Sequence, residues 1–199
     1  MKKFIILFVL ISFCAFGKAQ EQVNNSIKKK SIQEKLENKI PVTIGFIGGS
    51  ITEGAKADGF QKRYPNRLIE LLKEKYQYNS IQLINAGIGA TGSEIASYRV
   101  KNDLLKYKPD LVFIDFSVND PNNLRTIETY EGLVRQILEV SDVISLIFPL
   151  RNNKDAEEAQ KIVNKYYQIP SISIKDKVNK MIYSGIKWEE LYADVVHPN

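Results

Sequence analysis

From Pro41 onward, short apolar runs rich in β-branched and aromatic residues alternate with segments of helical periodicity. Val42-Thr43-Ile44-Gly45-Phe46-Ile47, Ile81-Gln82-Leu83-Ile84, Asp110 to Phe116, Val143 to Phe148 and Ser171 to Ile174 read as strands. Pro65 suits the first turn of a helix that carries Leu68, Leu71 and Leu72 on one face. Further helices are predicted over Glu94 to Tyr107, through Ile127, Leu133, Val134, Ile137 and Leu138, over Ala156 to Tyr167, and over Lys175 to Tyr183. Strands that alternate with helices predict an α/β fold: a central parallel sheet of about five strands, covered on both faces as a three-layer α/β/α sandwich, with right-handed crossovers.

The first nineteen residues have the three parts of a secretory signal peptide: basic Lys2-Lys3, an apolar core of 13 residues from Phe4 to Phe16, and small residues before a cut after Ala19. That core is shorter than the roughly 17–25 residues that span a bilayer, so no stable membrane anchor is expected. Phe13 is a poor residue to precede a lipidated Cys14. The mature chain then has no cysteine, which excludes a thiol nucleophile and cysteine-ligated zinc and suits a periplasmic or extracellular protein that needs no disulfides. Three of the five excess positive charges, Lys2, Lys3 and Lys18, leave with the signal, so the working protein carries about +2. Lys28-Lys29-Lys30 reads as a solvated segment, and no nucleic-acid signature accompanies it. Residues 20–39 are predicted to be a polar tether ending in a short helix, and residues 40–199 one domain.

Three strand ends carry unusual residues. Gly48-Gly49-Ser50-Ile51-Thr52 follows the first strand, where two glycines permit a sharp turn and close approach to a ligand. Asn85-Ala86-Gly87-Ile88-Gly89-Ala90-Thr91-Gly92-Ser93 follows the second, a glycine-rich loop whose N–H groups suit an anion. Ser117-Val118-Asn119-Asp120-Pro121 follows the third. Open α/β sheets place ligands at such tips. A serine with an asparagine amide and free backbone N–H groups around it has the parts for acyl transfer, the donors forming an oxyanion hole. The serine needs a base, and the chain has one histidine, His197, three residues after Asp194. At that spacing a carboxylate and an imidazole share one face of a turn or helix, so Asp194 is placed to hold Nδ1–H and leave Nε2 for Ser50.

These blocks resemble the SGNH hydrolases, or GDSL-type esterases. Gly48-Gly49-Ser50-Ile51-Thr52, the loop from Asn85 to Ser93, Asn119-Asp120 and Asp194-Val195-Val196-His197-Pro198 follow that family's order, from Ile40 to the end. The resemblance implies a flavodoxin-like topology, no metal or other cofactor, and hydrolysis of acyl esters, often acetyl groups on carbohydrate. It implies Ser50, Asp194 and His197 as catalytic residues, with Ser50, Asn119 and either Gly89 or Ala90 around the oxyanion. The family's oxyanion glycine falls on Ala90, whose N–H serves if the local dihedrals suit a Cβ. The chain stops at Asn199, where related chains usually continue into a packing helix, so a C-terminally truncated sequence is expected.

Other classes fit less well. The G-x-G-x-x-G and G-K-[ST] spacings of nucleotide loops are absent, and Thr52 stands where an α/β-hydrolase elbow needs glycine. Asp58 and Asp115 lack the His or Cys company of a metal site. Trp188 is expected in the core or at the rim of the cleft. The rival from another class is a glycan-binding relative with a disabled site, and the third reading is a flavodoxin-like redox or nucleotide-binding protein.

Overall fold

The structure is a computed structural model and describes residues 31–199. The signal-peptide expectation and residues 20–30 of the tether lie outside the described residues. Five parallel strands form one sheet in the order β2-β1-β3-β4-β5, with β1 at Val42–Gly48, β2 at Ile81–Gly87, β3 at Leu111–Asp115, β4 at Asp142–Ile147 and β5 at Ser171–Ser173. This order reverses direction at β1, so the tips of β2, β1 and β3 lie side by side, where a doubly wound sheet opens its ligand crevice.

Side chains alternate across the sheet with the strand period of two. Val42, Ile44 and Phe46 of β1 and Leu111 and Phe113 of β3 point to one face, and Ile47, Val112 and Ile114 to the other. Phe46 and Phe113 stack with centroids 5.0 Å apart. The first face is covered by α1 (Ile32–Glu37), α3 (Tyr64–Tyr76), α7 (Ile174–Tyr183) and the short α8 (Trp188–Leu191). The second is covered by α4 (Ser93–Asp103), α5 (Leu124–Leu138) and α6 (Glu157–Tyr166). A one-turn helix, α2 (Ser50–Glu53), joins directly onto the tip of β1.

Three differences from the sequence reading have physical causes. The short helix expected at the end of the tether is α1, capped by Ser31, and it is built into the domain: Leu36 is fully buried against the sheet and Lys35 pairs with Asp110. The second strand continues through Asn85-Ala86-Gly87, read above as loop, because each of these residues pairs in register with Phe46, Ile47 and Gly48 of β1. The helix expected from Glu94 to Tyr107 ends at Asp103 and closes with a 3₁₀ turn over Leu105–Tyr107. Among the described residues no helix is long and apolar enough to cross a membrane.

Candidate active site

Ser50 opens α2, with Gly49 in the N-cap position. Gly49 has no room for a side chain, since a Cβ there would stand 2.3 Å from Oδ1 of Asn119. The β3 loop therefore rests against the residue before the serine. The Ser50 hydroxyl lies 2.8 Å from Nε2 of His197, across 147 residues of chain. His197 comes from the turn after α8, where Tyr192 and Pro198 form an antiparallel bridge and Ala193 N–H donates to the His197 carbonyl.

Asp194 organises that turn. Its Oδ1 accepts the N–H groups of Val196 at 2.8 Å and His197 at 2.7 Å, and its Oδ2 lies 2.8 Å from His197 Nδ1. The His197 N–H, then the Val196 N–H and the ring, hold the Asp194 carboxyl down at about 2, so it is a carboxylate throughout the neutral range. A carboxylate on Nδ1 fixes the tautomer that leaves Nε2 as an acceptor toward the serine hydroxyl. Trp188 supports the turn from below: it is buried, donates Nε1–H to the Asp194 carbonyl at 2.7 Å and stacks on Tyr192.

The loops that would hold an oxyanion are tied to the same tips. Ile88 N–H donates to the Gly48 carbonyl at 3.1 Å, and Asn85 Nδ2 to the Thr52 carbonyl at 2.8 Å. Gly89 N–H donates to the Glu53 carboxylate at 3.0 Å. Ala90 has φ 57°, the left-handed region, which costs a residue with a Cβ roughly 1–2 kcal/mol. The dihedral therefore favours glycine, and alanine adopts it under constraint. Asp120 is buried and accepts Ser93 N–H at 2.9 Å, which joins the Asn119 loop to the start of α4 and to the Ala90 loop. Arg99 reaches beneath the tips, donating to the Ala86 carbonyl at 2.7 Å and the Gly48 carbonyl at 3.4 Å.

Behind the serine lies a buried polar network that joins Asp115, set aside above as a metal carboxylate, to Thr52 and Tyr64. Asp115, at the end of β3, accepts the Thr52 hydroxyl at 2.9 Å, and the Tyr64 hydroxyl lies 2.9 Å from Thr52 Oγ1. Because the one proton of Thr52 goes to Asp115, Tyr64 is the donor to Thr52. Burial pushes the Asp115 carboxyl up to about 7, against the lowering effect of the Thr52 bond. The unfolded chain then releases this proton near pH 4 and the folded chain near pH 7. The stability that Asp115 lends is fully present below about pH 4 and is lost as pH rises toward 7, an upper bound of about 4 kcal/mol. Asp115→Asn keeps an acceptor for Thr52 and removes the titration. Thermal unfolding from pH 4 to 8 is expected to show a smaller decline for the variant; parallel profiles would refute this.

A separate cavity of about 110 Å³ adjoins α2, lined by Ile51, Tyr64, Leu68, Phe113, Phe148 and Pro198. Ser50 is not among its lining residues.

The model of the GDSL-like lipase/acylhydrolase family matches residues 46–199. The chain belongs to this family. Among solved structures, this GDSL-like chain is similar to a two-domain esterase active on acetylated mannans, with a TM-score of 0.80 and 31% identity, covering 84% of this chain and 47% of that one. It is also similar to Axe2, an acetylxylan esterase from Geobacillus stearothermophilus solved as a catalytic mutant, with a TM-score of 0.68 and 18% identity, covering 81% and 89%. At that identity the likeness is one of fold. An uncharacterized lipoprotein of Bacillus subtilis (strain 168), YqeF, is 32% identical over 124 residues, which are 60% of this chain and 41% of the relative. The GDSL-like chain thus spans less than half the length of the mannan esterase and of the lipoprotein.

Proposed function

We propose that the protein is an exported serine esterase that removes short acyl groups, acetyl above all, from carbohydrate. The observation that carries this reading is the relay of hydrogen-bond distances from Asp194 through His197 to Ser50. Ser50 Oγ attacks the ester carbonyl while His197 Nε2 takes its proton; the tetrahedral intermediate then collapses, and His197 returns the proton to the departing alcohol. Water, activated by the same histidine, attacks the acyl-enzyme and releases the acid. The N–H of Ser50, the Asn119 side chain and an N–H of the Gly89–Ala90 loop hold the oxyanion.

Family membership and the likeness to an esterase active on acetylated mannans support the reaction class and the polysaccharide substrate. The sequence of the first nineteen residues and the similarity to a lipoprotein support export. The test is acetate release from acetylated mannan and from p-nitrophenyl acetate, each against the deacetylated polymer as a blank. Release from both is the expected result. Saturable binding of the acetylated polymer without acetate release would favour the glycan-binding reading instead.

A further inference from the structure

We propose that Glu53 is a positioning residue of the oxyanion loop, its carboxylate pinning the Gly89 N–H so that the Ala90 N–H is the one presented to substrate. The inference rests on the serine-esterase reading and deepens it. Glu53 closes the single helical turn that Ser50 opens, and a spacing of three puts both residues on the same side of that turn. The tip of β2 lies directly on Glu53: a Cβ at Gly87 would stand 2.3 Å from the Glu53 backbone nitrogen. A Cβ at Gly89 would lie 3.8 Å from Ser50 Cβ and 2.8 Å from Glu53 Oε2. The glutamate carboxylate therefore sits at the edge of the space shared by the serine and the loop.

Successive peptides of that loop are held in different ways. The Gly87–Ile88 peptide is fixed through Ile88 N–H on the Gly48 carbonyl. The Ile88–Gly89 peptide is gripped at both ends, its N–H by Glu53 at 3.0 Å and its carbonyl by the Thr91 hydroxyl at 2.7 Å. For the next peptide, Gly89–Ala90, no backbone carbonyl among the described residues accepts a hydrogen bond from Ala90 N–H in the loop. Glycine at 89 imposes little on its own dihedrals, and alanine at 90 stands at φ 57°. A peptide between these two residues swings readily unless its predecessor is clamped. Glu53 supplies the N–H side of that clamp. Because Glu53 is exposed, its single hydrogen bond adds little to global stability. The chemistry should register its loss where unfolding does not.

The experiment compares wild type, Glu53→Ala and Glu53→Gln by kcat and KM on p-nitrophenyl acetate, by thermal unfolding, and by the rate at which a fluorophosphonate labels Ser50. The phosphonyl oxygen of that adduct stands in for the oxyanion. Removing an oxyanion donor outright costs 10²–10³ in kcat, so loosening one predicts for Glu53→Ala a fall of about tenfold in kcat and in labelling rate. KM should stay within about twofold, since the lost interaction belongs to the transition state, and the Tm within about 1 °C. Glu53→Gln keeps a carbonyl acceptor and should recover kcat to within about threefold of wild type. An unchanged kcat in Glu53→Ala, a change in KM alone, or a glutamine variant no better than alanine would overturn the assignment to Glu53. A wild type that the fluorophosphonate does not label at Ser50 would overturn the serine reading itself, and this inference with it.

Discussion

Ser50→Ala is expected to lower kcat on p-nitrophenyl acetate by about 10⁵–10⁶-fold, because the remaining groups can still bind and polarise the ester but have no oxygen to deliver. The hydroxyl removed lies 2.8 Å from His197 Nε2, and the rest of α2 is held by bonds that do not involve it. Gly54 and Ala55 N–H donate to the Ser50 carbonyl, and Thr52 to Asp115. The variant should therefore unfold at the wild-type temperature and show no burst of p-nitrophenol. A rate within tenfold of wild type would remove Ser50 from the chemistry and return the family likeness to a statement about fold.

Asp194→Asn should cost nearly as much, about 10⁴-fold in kcat, through a different failure. An asparagine Oδ1 can still accept the Val196 and His197 N–H groups that shape the turn. Its amide nitrogen, however, takes the place of the oxygen 2.8 Å from Nδ1. A donor there favours the imidazole with its proton on Nε2, facing Ser50 as a donor when it is needed as an acceptor. The turn survives and the base does not. Because the wild-type carboxyl is held down at about 2, its titration should leave no mark on kcat between pH 5 and 9. Measuring kcat over that range for both proteins checks the assignment, and a loss below tenfold would show that orientation by Asp194 matters little.

The parts of this site that could be read in the sequence are those whose chemistry is rare in the chain. One histidine, a carboxylate three residues before it, and a serine after Gly-Gly at a strand end leave few pairings, and the structure brings those three residues together. The strands could be read because side chains of one period must serve two covered faces, as Phe46 and Ile47 do. What could not be read depends on contacts between distant segments. Asn85-Ala86-Gly87 looks like a loop in isolation, yet its backbone pairs with β1 whatever its side chains are. Thr52, Tyr64 and Asp115 are unremarkable separately and become one buried network only when the sheet places β3 behind α2. Glu53 is an exposed acid in the turn that Ser50 opens, and only the loop of another strand gives its carboxylate a partner. Trp188 was expected in the core or at the rim; its hydrogen bond to the Asp194 carbonyl follows from the turn, which local periodicity does not reveal.

The separation of 147 positions between Ser50 and His197 has a consequence for timing. A chain made from its N-terminus exposes Ser50 to the surroundings long before His197 has been added. During that interval the hydroxyl is an ordinary alcohol, unable to acylate itself on the esters it meets. On the serine-esterase reading it acquires a base only when the Asp194 turn docks beside β1, so recovery of activity after denaturation should follow docking of that turn and lag behind recovery of the sheet.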